Sequence, residues 1–372
     1  MKKQYVRITN YCIVALCLSF IISCSTIRPN NNTDNLTGYD KWAAIGKIAM
    51  NTAMDHLKKQ NLALRIDNLI VLTNAGYAEI NEETTEGALD GVALNGQISR
   101  GRHTLIEIHS ASWTPLWFSI YDRISGYCAY LELKPSELTN NFTPSMNNQL
   151  FTSAIERVNA DYLYEHAENY KSKFKDKIFG GNEFRIITIV NTITEGAPVN
   201  VMRAFEFHDH YCPGVTSGVL MVQYLKKHFP PGKRGYFVHT VDPWCKEDAL
   251  LVLLNATPGK KGYAISYPTD KDRLKRKDEA KDASTIFYRK NEQTNRWEGI
   301  VLGFQWTDNA CPKYNNKLID KLCTDLWYLK YMDQPEQFVK VIKKVELPDG
   351  VSPKDWARPG IDPMKKLGLL KH

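Results

Sequence analysis

Several things are scarce in this 372-residue chain, and each scarcity removes a class of protein. The apolar stretch from Cys12 to Ile22 is too short to read as a membrane span. The charge excess is small: the formal net charge is +7, and Lys2, Lys3 and Arg7 belong to a leader read as removed, leaving about +4. That balance gives no reason to expect nucleic acid as a partner. A P-loop is missing too, because "TPGKKG" from Thr257 to Gly262 is glycine-rich and basic without the required pattern. What remains is an ordinary globular composition, 43% apolar and 24% charged, on a chain longer than a usual single domain.

The first residues, "MKKQYVRITNYCIVALCLSFIISC", combine a positive start with a short apolar core, the form of an export signal. Ile21-Ile22-Ser23-Cys24 resembles a bacterial lipobox, which assigns residues 1–24 to a lipoprotein signal peptide and makes Cys24 the lipidated residue. A plain signal peptide or an uncleaved anchor is the competing reading. Either places the folded body outside the cytoplasm, facing the periplasm or the cell exterior. Once Cys12, Cys17 and Cys24 are set aside, Cys128, Cys212, Cys245, Cys311 and Cys323 remain. Their number is odd, so at least one is unpaired or binds something else.

Periodicity gives the organisation. After a polar linker, residues 25–38, helical spacing of Trp42, Ile45, Ile48, Ala49 and Leu57 predicts a helix from Tyr39 to about Gln60. A strand ("NLIVLTNAGYAEI"), a second helix ("TTEGALDGVALNG") and strands in "HTLIEIHS" and "PLWFSIYDRISGYCAYLEL" follow. Residues 136–184 form a connector in which Phe151 to about Lys177 is expected to be one long helix. Phe184 to Ile193 is expected to be a strand from its β-branched run. The later part repeats the order: a helix in "GVLMVQYLKKHF", a strand in "GYFVHTVD", a helix in "KEDALLVLLNA", then more strands. Matched wording recurs at offsets of about 160 to 168 residues, as with "DHLKKQ" and "QYLKKH". The expectation is an α+β fold made of two diverged copies of one unit, residues 39–135 and 185–330, forming an intrachain pseudo-dimer. A basic, proline-punctuated tail, residues 331–372, is expected to wrap the surface.

The chemistry gathers in "AFEFHDHYCPGVTSG", Ala204 to Gly218. Pro213 suits the first position of a helix, which puts Cys212 at its N-cap, where unpaired N–H groups and the helix dipole favour a thiolate. Cys245 stands in the same relation to "KEDALLVLL". Two such thiols with imidazole from His208 or His210 make a nitrogen and sulfur set suited to Zn²⁺ or another divalent transition metal. Three protein ligands leave a fourth position open. Competing readings are a Cys212–Cys245 disulfide, simple burial of both thiols, and a cysteine nucleophile activated by histidine.

"FHDHYCPGVTSG" followed by "DPWCKEDALLVLLNATPGK" resembles the FmdE-like family, named for a component of formylmethanofuran dehydrogenase, over roughly Ile187 to Gly303. Phe207, His208, His210, Cys212, Pro213 and Gly214 match the first part of its pattern, and Cys245, Asp248, Ala249, Thr257, Pro258 and Gly259 match the second. Asp209 stands where the family usually has glycine. The C-terminal zinc finger of some members has no counterpart, since Cys311 and Cys323 lack CxxC spacing; they are instead candidates for a local disulfide.

Candidate catalytic residues are therefore His208, His210 and Asp248, and candidate metal ligands His208, His210, Cys212 and Cys245. Candidate pocket residues are Asp242 and, from the first copy, His109, Trp113 and Trp117, which are expected to approach the site and wall an organic ligand. Asp242 and Asp248 are also candidates to orient a metal-bound histidine. Three functions stay open: a metalloenzyme acting on a small organic substrate, a non-catalytic metal-binding or metal-delivery lipoprotein, and a disulfide-containing structural or redox protein. Expected partners are a small molecule or metal and, through the lipid, a membrane, with the chain a monomer or weak homodimer.

Overall fold

The computed structural model describes residues 36–371 except 61–62, 94–95, 139–141, 143–148 and 309; Cys24 and the leader lie outside the described residues. The fold is α+β. Helix α1 (Gly38–Lys58) buries Trp42, Ile45, Ala49, Ala53 and Leu57 along one face, as their spacing predicts. Strands β1 (Leu69–Thr73), β2 (Glu79–Ile80) and β3 (Glu83–Thr84) lead to helix α2 (Gly87–Val92) and strands β4 (Leu105–Glu107), β5 (Trp117–Asp122) and β6 (Tyr127–Leu133). Helices α1 and α2 touch backbone to backbone: a Cβ on Gly46 would lie 2.2 Å from the Ala88 carbonyl oxygen, so only glycine fits.

The connector differs from its expected form. Phe151 to Arg157 is a strand, β7, followed by two short helices, α3 (Ala160–Glu165) and α4 (Ala167–Lys175). The strand pairs with β6 from Leu133↔Phe151 to Tyr127↔Arg157, and this edge pairing overrides the local helical pattern. The segment expected as a strand at Phe184 to Ile193 is helix α5 (Glu183–Thr194). Its residues are buried on nearly every side, and a helix buried all round has the same unbroken apolar run as a central strand. Helix α6 (Val199–His208) then leads to the second unit.

That unit comprises α7 (Pro213–His228), β8 (Phe237–Thr240), α8 (Lys246–Leu254), β9 (Tyr263–Ile265), α9 (Asp270–Leu274), β10 (Ala283–Lys290), β11 (Trp297–Phe304), α10 (Lys317–Leu329) and β12 (Val339–Glu346). The first sheet has the order β4-β1-β5-β6-β7 and the second β9-β8-β10-β11-β12. In each, the first two of these strands are parallel and the rest antiparallel. The register repeats as well: Val71 sits between Leu105 and Ile120, and Val238 between Tyr263 and Phe287. Two sheets with one topology mark a duplicated unit.

The copies do not meet through equivalent faces. Val71 of the first sheet packs with α1 and α2, and Val238 of the second packs in the central core with α7 and α8. The opposite face of the first sheet, with Ile70, Leu72, Tyr121 and Tyr130, rests on α4 and α5 in that same central core. Pairing by two-fold symmetry would bury like faces; this contact joins unlike ones. The tail is also more than a wrapping. Its strand β12 completes the second sheet, and α11 (Pro353–Trp356) and α12 (Pro363–Lys366) cover that sheet's outer face with Trp356, Met364 and Leu367. No helix among the described residues is long and apolar enough to cross a membrane.

Candidate metal centre

The centre forms where two helices begin and one ends. Helix α6 stops at His208, and Asp209 turns the chain with a left-handed φ of 71°. That conformation favours glycine and tolerates Asp, which accounts for the departure at this position. Cys212, in extended conformation, caps α7, and Pro213 occupies the first helical position. Cys245 immediately precedes α8. The two helix starts meet because Gly214 has no side chain: a Cβ there would fall 2.7 Å from that of Cys245.

This packing brings His208, Cys212 and Cys245 together, with one ligand atom from each lying within 4.8 Å of the others. His208 Nε2 is 3.9 Å from Cys212 Sγ, and its Nδ1 donates to Asp248 Oδ2 at 2.6 Å. The carboxylate on α8 therefore turns the imidazole so that Nε2 faces the sulfurs. His210 lies beside the group, its ring 4.3 Å from that of His208, and Asp209 accepts from its Nδ1 at 2.6 Å. Arg185 donates to the other Asp209 oxygen at 2.6 Å.

Charge is distributed to match. Hydrogen bonding from Cys212 pulls the Cys245 pKa down against the cost of burial, and His208 adds to the effect. The same bond and burial push the Cys212 thiol up. Burial opposes charge on His208, but Asp248 and Cys245 outweigh it and raise the pKa to about 9. Asp209 is half-buried, yet His210 and Arg185 keep it below the usual carboxylate range. Cys212 and Cys245 are both free thiols, whereas Cys311 and Cys323 form a disulfide. Once a metal displaces the protons on His208 Nε2 and Cys212, two sulfurs and an oriented imidazole form a donor set that fits a transition metal.

Residues 207–326 match the family model described as FmdE, Molybdenum formylmethanofuran dehydrogenase operon. This segment is FmdE-like. It runs from the residue before His208 through most of α10, so it contains all three members of the cluster. No curated protein matches the chain.

Outside the FmdE-like segment, the three residues expected from the first unit are placed differently from one another. His109 donates its backbone N–H to Glu206 at 3.0 Å and stacks on Phe207, the neighbour of His208, at 5.1 Å. Trp117 is buried against Tyr130 and, with His109 and Arg185, lines a cleft of about 170 Å³. Trp113 is 85% exposed and does not line this cleft. Asp242, expected to orient a histidine, is instead paired with Arg273 and Arg276; Asp248 has that position. Sequence reasoning missed Arg185 and Asp325. Asp325 is fully buried on α10, accepts among the described residues only a long 3.5 Å bond from Thr216, and burial raises its pKa well above the carboxylate range. Its signal was an acid between Leu322 and Leu329 on the apolar face of an amphipathic helix.

Proposed function

We propose that this chain is an exported, lipid-anchored metalloprotein that holds one zinc ion through His208 Nε2, Cys212 and Cys245 and acts on a small organic substrate. The observation that carries the reading is the meeting of three ligand atoms within 4.8 Å, with His208 already oriented by Asp248. Three protein ligands leave one coordination position, the pattern of a working site rather than a closed structural one. When bound, zinc supplies Lewis-acid polarisation to the group that takes that position. Asp248 keeps a proton on His208 Nδ1 and so preserves Nε2 for the metal. His210, gripped at Nδ1 by Asp209, presents Nε2 as the proton carrier beside the centre.

The family match supports where to look and not which reaction occurs, because sites rather than folds carry function. Export and lipidation at Cys24 are supported by the leader and its lipobox-like end. Metal analysis of anaerobically purified protein, with thiol counting, tests the central proposal. About one zinc per chain is expected, falling to background in Cys212→Ser or Cys245→Ser while the circular dichroism spectrum persists. Stoichiometric metal in the double Cys→Ser variant refutes it. With Co²⁺ substituted, added azide should shift the visible spectrum; an unmoved spectrum argues for a closed site and a non-catalytic metal-binding role.

A further inference from the structure

The segment that supplies Cys245 also walls a cleft of about 320 Å³ between α7 and the second sheet, lined in part by Ser217, Trp244, Lys246, Phe304 and Trp306. Two indoles stand side by side at its mouth. Trp244 is 56% and Trp306 46% exposed, and their rings meet edge to face at 5.8 Å. Phe304 backs Trp306 at 4.5 Å and is itself buried. An indole left half in water forgoes about 1 kcal/mol or more of burial, so two adjacent ones around a concavity mark a place for a ligand.

The charges around the cleft indicate the ligand's sign. Lys246, buried, donates to the Asp242 carbonyl and pairs with Glu247 at 2.9 Å. The Asp242 carboxylate is held by Arg273 and Arg276, and Asp282 lies 3.9 Å from Lys340. Lys281 also lines the cleft and makes no ion pair among the described residues. Of the charged groups lining it, the unbalanced one is therefore a cation. The cleft adjoins the centre's frame across the packed contact at Gly214, where a Cβ would fall 3.3 Å from both the Trp244 ring and Cys245 Sγ.

We propose that this cleft is the organic-ligand subsite of the metal centre and takes a planar aromatic or heteroaromatic molecule bearing a single negative charge, such as a carboxylate. The ring covers the exposed indole faces, where every aromatic finds stacking or edge contacts, and the anion pairs with Lys281. A cavity of about 320 Å³ lies at the small end of ligand sites and suits one or two fused rings. The inference rests on the proposed metal centre for what is done to the ligand and not for its binding.

The test is titration of the purified full chain with 2-naphthoate, followed by tryptophan fluorescence and calorimetry. Saturable binding is expected, weakened at least tenfold in Trp306→Ala and at least threefold in Lys281→Glu. 2-Naphthalenemethanol and hexanoate should both bind more weakly than 2-naphthoate, and metal content should stay constant in the two variants. Lys281 is exposed, so its replacement reports even if Trp306→Ala fails to fold. Absence of saturable binding, or unchanged affinity in Lys281→Glu, overturns the proposal. The same titration of Cys245→Ser separates the two readings. Naphthoate binding that survives loss of metal supports the cleft, and wild-type protein that binds naphthoate but no metal refutes the centre alone.

Discussion

Nδ1 of His208 donates to Oδ2 of Asp248 across 2.6 Å, joining the end of α6 to the first turn of α8. His208, and not His210, belongs to the group that could hold a metal, and this contact fixes which of its ring nitrogens faces Cys212 and Cys245. Asp248→Ala should weaken metal binding about 10- to 100-fold, with Asp248→Asn intermediate. Competition with a chromophoric chelator measures this, and affinity unchanged in Asp248→Ala would remove the carboxylate from the centre.

Two glycines in close helix contacts should respond differently to the same change. A Cβ on Gly46 would meet the Ala88 carbonyl at 2.2 Å, and one on Gly214 would meet the Cys245 Cβ at 2.7 Å. Each Gly→Ala variant should lose about 1–3 kcal/mol of stability in urea titrations. Only Gly214→Ala should also lose metal, because only that shift moves a ligand. Equal metal loss in both would mean that global stability, not local approach, controls occupancy.

His239 supplies a pH test remote from the centre. It is buried in β8, exchanges a hydrogen bond at Nε2 with Ser266 at 2.9 Å, and has no partner at Nδ1 among the described residues. Burial lowers its pKa to about 4, partly offset by Asp362. Below the ordinary value near 6.5 the unfolded chain takes up a proton that the native imidazole refuses, so stability falls with pH until about 4. The loss amounts to at most about 3 kcal/mol. Leu72 holds the corresponding register position in the first sheet, so His239→Leu should flatten the stability profile across that window. An unchanged slope in denaturation at pH 6.5, 5.5 and 4.5 would assign the acid sensitivity to carboxylates.

Cys24→Ala should abolish lipid labelling and either release soluble protein or block processing. Labelling and membrane fractionation that do not change would show that the anchor lies elsewhere.

The sequence by itself determined the features written in short-range chemistry. Trp42, Ile45, Ala49 and Leu57 recur at helical spacing, so α1 was legible at nearly its full extent. Pro213 behind Cys212 set the thiol at a helix start, and Cys245 stood before α8 in the same way. The doubled order of helices and strands was visible because each copy must bury the same faces. Tertiary structure alone decided the rest. His208 and His210 are equivalent in spacing; the left-handed turn at Asp209 separated them, and the fold grouped His208 with the two cysteines. Pairing with β6 made a strand of Phe151–Arg157, and enclosure on nearly every side hid the helical period of Glu183–Thr194. Asp242 went to two arginines and Trp113 to solvent, outcomes set by partners distant along the chain. The contact of unlike faces depended on what the connector inserted between the copies. A local pattern fixes what a segment can bury, whereas the identity of its neighbour is a property of the folded whole.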